Sequence, residues 1–455
     1  MRWNCLATTM ILALLSGMAR GEEGLPEAVI ETAAPSESII LNTETYGASA
    51  YPVDRQQIDT TNLFGGRTGY IHPFLSVSGF YTSNLFRTAG NEQADRYTVI
   101  VPGIWLALPA RKQKLPEIGT SNTAPGGLSL SRVTAERERR VQGYALYQAN
   151  IRKYDRFAEE DRIDHRGQGM LKFSTRRGSS LEFVDVYERN SDPYGTGGKT
   201  VRTLDTFDAN LFNAILVGRL SAKVLLRADY GRYRLNYVDA DNTYRDRNDD
   251  SYSAYLFFQA TPKTAVFVQG EFINIEYDED RNIGDSQHNN YYLGMQMQTS
   301  ANTRGRFKIG YGLQDYDTSE SEDLLVEAQL DYFFTPKTSL YLQGTRRILE
   351  TDQIGARSIL SHRVLLGYRQ RMTAKLAGDA SFFFNRNDYD GTVSIGNRIA
   401  SNYFHDEFGG SAALGFSPRT WLNLSVGYEY RERDSNFDSE DYRNNTVFLR
   451  AAAAL

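Results

Sequence analysis

The chain has 455 residues, 41% of them hydrophobic, with 51 Lys and Arg against 56 Asp and Glu, a formal net charge of −5 and a mean hydropathy of −0.48. That is too polar for a bundle of membrane helices, and 29 Tyr, 24 Phe and 38 Gly without helical stripes of Leu and Ala do not suit a helical soluble enzyme. Mild acidity, with no basic patch interleaved with aromatics, excludes nucleic acid as a partner.

The first element is a secretory signal at 1–21: Arg2, an apolar stretch from Thr9 to Leu15, then Ala19 and Gly21 at minus three and minus one of a cut before Glu22. The apolar stretch is too short to anchor in a bilayer. Losing Arg2 and Arg20 takes the net charge from −5 to −7. Cys5 is the single cysteine, so the mature chain has none, which suits an oxidising compartment and excludes disulfides and Cys-based metal sites.

Residues 22–66 are polar and without period, a mostly irregular periplasmic lead segment. From Tyr70 to the last residue apolar and polar side chains alternate, as in strands with two different faces. About eighteen strands (range 16–20) are predicted, near 70–86, 96–108, 138–153, 166–175, 180–189, 206–218, 223–237, 250–260, 264–277, 288–299, 304–316, 322–333, 338–350, 358–370, 374–387, 403–416, 420–433 and 442–455.

A short turn recurs among them: LSAK at Leu220, TPKT at Thr261, SANT at Ser300, TPKT at Thr335, MTAK at Met372 and SPRT at Ser417. The central Ala or Pro falls at 222, 262, 301, 336, 374 and 418, a step of 35 to 44 residues. Such a period fits a propeller of four-stranded blades, but only two long strands lie between markers. Strands of 11 to 14 residues suit instead a tilted membrane crossing of about 9–11 residues plus its ends. The opposite connections, 238–250, 277–290, 315–323 and 433–441, are acidic and bare of aliphatics. Tight turns on one side and long polar loops on the other predict an all-β, antiparallel transmembrane barrel of the outer membrane spanning 67–455. One segment breaks the rhythm: 110–137, rich in Pro, Gly, Ser and Lys, falls where a tight periplasmic turn belongs and is expected to be a flexible insertion, with a plug or a docking site for a periplasmic partner as the alternatives.

The phase assigns faces. Leu422, Leu424, Val426, Tyr428 and Tyr430 oppose Asn423, Ser425, Glu429 and Arg431, and charge on the lipid face costs roughly 2–4 kcal/mol at the midplane. The candidate lumen-lining residues are therefore Arg227, Asp229, Gln269, Glu271, Lys308, Glu327, Asp331, Gln343, Arg347, Arg363, Arg369, Lys375, Asp379, Glu429 and Arg431.

The opening strand, with HPFLSVS at His72 to Ser78 and YTSNLF at Tyr81 to Phe86, and the later TPKT turns followed by strands such as LYLQGTRR, resembles the family of beta-barrel porins called type 2. The likeness spans nearly the whole mature chain. Some members accompany exopolysaccharide biosynthesis and secretion genes, so the resemblance implies a large outer-membrane barrel and, for some, an exit for polysaccharide. It carries no catalytic motif. The carboxyl end departs from the usual barrel pattern: Val447, Leu449, Ala451 and Ala453 keep the alternation, but Leu455 replaces the terminal aromatic read by the insertion machinery.

Chemistry finds little purchase. The five His are scattered, Ser361 and His362 are adjacent and so point to opposite faces, and neither GxSxG nor HExxH occurs. The run around Asp239, Asp241 and Thr243 has Tyr244 where a calcium loop needs Gly. The sequence thus predicts no enzyme, no cofactor and no metal. It predicts an outer-membrane channel for polar solutes with exopolysaccharide export foremost; a general diffusion porin or a structural barrel acting through its acidic loops are the alternatives. Its expected partners are outer-membrane lipid and lipopolysaccharide, the insertion machinery, and periplasmic polysaccharide-export components.

Overall fold

The computed structural model describes residues 69–454 except 112–117, 133–139, 194–203, 280–283, 301, 317–318, 354 and 396–397. The expected signal (1–21) and lead segment (22–66) lie outside the described residues. The strands in order are β1 (Gly69–Thr82), β2 (Asp95–Arg111), β3 (Val141–Tyr154), β4 (Arg162–Ser174), β5 (Ser180–Ser191), β6 (Thr206–Arg219), β7 (Val224–Tyr237), β8 (Arg247–Thr261), β9 (Thr264–Tyr277) and β10 (Ser286–Ser300). They continue as β11 (Thr303–Tyr316), β12 (Ser319–Thr335), β13 (Thr338–Glu350), β14 (Ala356–Arg371), β15 (Leu376–Ile395), β16 (Arg398–Ser401), β17 (Phe404–Arg419), β18 (Leu422–Ser435) and β19 (Tyr442–Ala454).

Apart from β16, which β17 skips to pair with β15, each strand pairs antiparallel with the next in sequence, and β19 returns to β1, with Phe74 opposite Ala454 and Thr82 opposite Thr446. Eighteen strands close the wall; β16 pairs only with the end of β15, Thr392 opposite Ser401, forming a hairpin above the rim. Closure leaves no free edge, which is what allows a sheet to exist in hydrocarbon.

Alternation builds the two surfaces. Along β18, Leu424, Val426 and Tyr428 are exposed to the lipid side, whereas Ser425, Arg431 and Arg433 are buried toward the interior. Leu293, Val268, Leu256 and Phe272 continue the outer face on neighbouring strands. A strand of 14 residues such as β7 or β9 is about 46 Å long, well beyond the ~25 Å apolar band, so the wall extends past the membrane.

The tight turns TPKT and SPRT lie at one end, taken as periplasmic, with the amino end of β1 and the carboxyl end of β19. The opposite end corrects one loop. Residues 315–323, expected as a long acidic loop, instead extend the wall: β11 runs to Tyr316 and β12 starts at Ser319, with Asp315 opposite Glu320. Polar residues do not end a strand where both faces meet water, so the ladder continues outside the membrane.

Candidate functional site

The interior carries residues 118–132, a segment of the β2–β3 connection that lies inside the wall. For residues 118–132 the expected flexible periplasmic insertion gives way to the alternative, a segment seated in the lumen: these residues hydrogen-bond to seven strands between β4 and β13. The physical reason is the inner wall itself. Lumen-facing Met170, Val184, Val186, Ala209, Leu211 and Leu235 form an apolar strip, and Ile118 and Leu128 of the segment cover it. Such a strip facing water would forfeit about 25 cal/mol per Å² of burial.

The segment rises to a bend near the loop end. Pro125–Gly127 make one 3-10 turn, with Gly126 at φ 70° and Gly127 at φ 71°, a left-handed backbone that glycine adopts without strain. A Cβ on Gly127 would lie 2.2 Å from the Tyr233 ring, so glycine is also needed for the close approach. The bend is held by its backbone: Asp249 accepts from Gly126 N at 2.8 Å, Arg247 Nη2 donates to Ala124 O at 3.1 Å, and Glu350 N donates to Thr123 O at 2.8 Å. His288 Nε2 lies 2.9 Å from Glu350 Oε1, and the Tyr277 hydroxyl donates to Glu350 Oε2 at 2.7 Å. Beside them Asn122 joins Asp192 at 3.1 Å and accepts from Tyr233 at 2.8 Å.

Above the bend, Val393 and Ala400 of the β15–β16 hairpin pack with Ala124, Leu349, Ile359, Tyr389 and Tyr403. The β7–β8 connection also leans inward, with Arg245 bound to Asp192 at 2.9 Å and Tyr244 donating to Asp352 O at 3.4 Å. At its end Asp246 accepts from Tyr237 N at 2.6 Å, and burial pushes its carboxyl up to about 6 despite that bond.

Lower down, the descending limb meets charge. Ser131 Oγ donates to Glu327 at 3.0 Å, Arg132 Nη2 binds Glu182 at 2.6 Å, and Arg227 Nη1 donates to Arg132 O at 2.9 Å. Lys172 reaches the same Glu182 at 3.3 Å. Buried cations thus meet carboxylates, which offsets a desolvation cost of several kcal/mol per ion.

Several residues singled out from the sequence meet here. Arg227 also binds Asp229 at 2.6 Å, Lys308 reaches Glu327 at 3.3 Å and Gln269 at 3.2 Å, and Arg347 donates to Leu128 O at 3.1 Å. Glu271 accepts from Asn290 at 3.0 Å, and Gln343 is buried opposite Gln329. Asp331 lies opposite Arg304 near the tight-turn end, and Arg363 is buried on β14. Arg369 and Asp379 pair with each other at 2.6 Å, as do Glu429 and Arg431 at 2.8 Å. Lys375 is a correction: it is exposed in the turn between β14 and β15, where Thr373 Oγ1 accepts its N–H at 3.1 Å, because the strand phase does not extend into the turn.

Sequence reasoning missed Arg132, Glu182, Arg247, Asp249 and Glu350, whose importance comes from the segment they hold. One signal was present: β6, TFDANLFNAILVGR, carries Phe207, Leu211, Ile215 and Val217 on one face and Phe212, Ala214 and Leu216 on the other. A strand apolar on both faces is covered on both.

A family model described as "Putative beta-barrel porin 2" matches residues 138–454. No curated protein matches the sequence. Among solved structures the chain is similar to OccK3 (OpdO) of Pseudomonas aeruginosa at 13% identity, TM-score 0.42, covering 85% of this chain and 96% of that one. It is similar to OccK2 (OpdF) in complex with glucuronate, from the same organism, at 13% identity, TM-score 0.43, covering 85% and 98%. OpdK with vanillate, again of Pseudomonas aeruginosa, gives 8% identity, TM-score 0.42, covering 85% and 99%.

Proposed function

Because this chain belongs to the putative beta-barrel porin 2 family and is an outer-membrane barrel of channel type, we propose that its solute is an exopolysaccharide leaving the cell, and that residues 118–132 hold the lumen until that solute displaces them. One observation carries the reading: a wide barrel contains its own chain. An eight-stranded barrel is filled by its side chains, whereas one of about 16–18 strands leaves an aqueous channel. An exit for a polymer needs that bore, and an idle bore of that size leaks small solutes. A segment seated by reversible polar contacts, on a wall that is partly apolar, answers both needs. A general diffusion porin would use such a segment only to narrow its bore, and the gene deletion below separates the two readings.

The wall suits a glycan as well. Tyr255, Tyr292, Tyr341 and Phe383 stand among Gln269, Gln343, Arg431 and Asn385 on the inner face, giving stacking surfaces and many weak hydrogen bonds. Deletion of the gene is expected to abolish surface polysaccharide while small-solute uptake stays intact. Loss of uptake with polysaccharide unchanged would overturn the export reading in favour of a diffusion porin.

A further inference from the structure

We propose that the inner wall at β18, β19 and β1 carries a binding subsite for the carboxylate of an acidic sugar, built on Arg450. This rests on the export reading and adds the charge of the exported chain.

The register places three side chains on one rung of the interior. Ser78 of β1 lies opposite Arg450 of β19, and Arg450 lies opposite Ser425 of β18. The next strand contributes Gly415, opposite Ser425, so the rung continues without bulk. Arg450 is 8% exposed, and its Nε donates to Ser78 Oγ at 2.9 Å. Arg132, Arg227, Arg247, Lys308, Arg431 and Arg433 each have a carboxylate within 4.0 Å; Arg450 has none among the described residues. Beside it, Ser425 is 6% exposed and its hydroxyl has no hydrogen-bond partner among the described residues.

A buried guanidinium without a counter-ion is costly, and so is a buried hydroxyl without a partner. An incoming carboxylate satisfies both: it takes two parallel N–H bonds from the guanidinium fork and the O–H of Ser425. The rung above supplies a surface for the sugar ring. Phe448 lies against Gly427, where a Cβ would come within 2.3 Å of the ring, and its centroid is 5.7 Å from Phe80. An aromatic face next to a cation and a hydroxyl is the chemistry of an acidic pyranose, flat and apolar on one side and charged at C6. The hydrogen bonds described for residues 118–132 go to β4, β5, β7, β8, β11, β12 and β13, so the rung stands apart from that clasp.

The test is calorimetric titration of the purified full-length protein in detergent with galacturonate, trigalacturonate and neutral maltotriose. Trigalacturonate is expected to bind, maltotriose at least tenfold more weakly. Arg450→Gln is expected to reduce trigalacturonate affinity at least tenfold, Ser425→Ala severalfold, and Arg450→Lys, which keeps the charge without the fork, by an intermediate amount. Heat-modifiable gel migration checks that each barrel is folded, and Ser425→Ala serves if Arg450→Gln fails to assemble. Binding of galacturonate without trigalacturonate supports the subsite and assigns it to small sugar acids. Equal affinity for charged and neutral trimers, no binding of either acid, or an unchanged affinity in folded Arg450→Gln overturns it. The gene deletion is independent: lost surface polysaccharide with no acid binding leaves export standing and the subsite refuted.

Discussion

Asp249 on β8 accepts the backbone N–H of Gly126, 123 residues earlier in the chain, at 2.8 Å. The wall therefore grips the interior segment at its bend through a main-chain group, on a backbone at φ 70° that glycine adopts without strain. Hydrogen bonds to charged groups are worth about 1.5–3 kcal/mol. Asp249→Ala is expected to raise the open fraction of single channels in planar bilayers about ten- to a hundredfold, the shift such an energy produces. Asp249→Asn, which can still accept from Gly126, should show less. An open fraction equal to wild type in both would show that the bend is held elsewhere.

Gly127→Ala attacks the same bend by shape. The new methyl would meet Tyr233 at 2.2 Å on a backbone at φ 71°, so the segment must lift or the ring must move. We expect raised conductance with an unchanged heat-modifiable band, because the strand ladder does not depend on residue 127. A conductance trace indistinguishable from wild type would contradict the seating described.

Replacing 118–132 by a Gly/Ser linker of equal length should give a permanently conducting barrel. It should also lower the apparent melting temperature, since Val184, Val186, Leu211 and Leu235 would then face water. Circular dichroism melts and bilayer recordings on one preparation test both.

The two faces differ in what they tolerate. Leu293, 61% exposed and central on the outer face of β10, is expected to cost about 2–4 kcal/mol when changed to Arg, read from denaturant titration in lipid vesicles. Ser411→Arg, on the inner face of β17, should cost far less. Equal costs would contradict the assignment of faces.

Asp246 makes the β7–β8 connection pH-dependent. Its carboxyl ionises near 3.8 in an unfolded chain and at about 6 here, so folding takes up a proton between those values. The stabilising contribution is complete below pH 3.8 and is lost as pH rises through about 6. Proteolytic nicking within 238–246 should therefore increase from pH 5 to pH 7 in wild type and stay flat in Asp246→Asn; parallel profiles would sink the assignment.

Strand positions and faces were legible because lipid imposes strict alternation: Leu424 and Val426 against Ser425 can be placed no other way. Turn spacing at Pro262, Pro336 and Pro418 gave the order of strands in the same way. For the interior segment the plug stood only as an alternative, because Pro125, Gly126 and Gly127 read as loop chemistry whether the loop lies in water or in a lumen. Its partners were hidden too. Glu182, Asp249 and Glu350 look like any wall carboxylate until the register shows which of them converge on Thr123 to Arg132. Lys375 erred differently, since alternation was carried one step into a turn.

The bend at Pro125–Gly127 lies at the loop end, while β2 and β3 both meet the connection at the tight-turn end. The strap is thus a fold with its closed edge outward. A load arriving from the periplasm reaches the Arg132 and Ser131 contacts first and can peel them in sequence toward Asp249. A load from outside meets the β15–β16 hairpin and the whole clasp together, and bonds strained in parallel share the force. On the export reading proposed above, the strap would yield to a load from the periplasm one contact at a time and resist a load from outside with all of them at once.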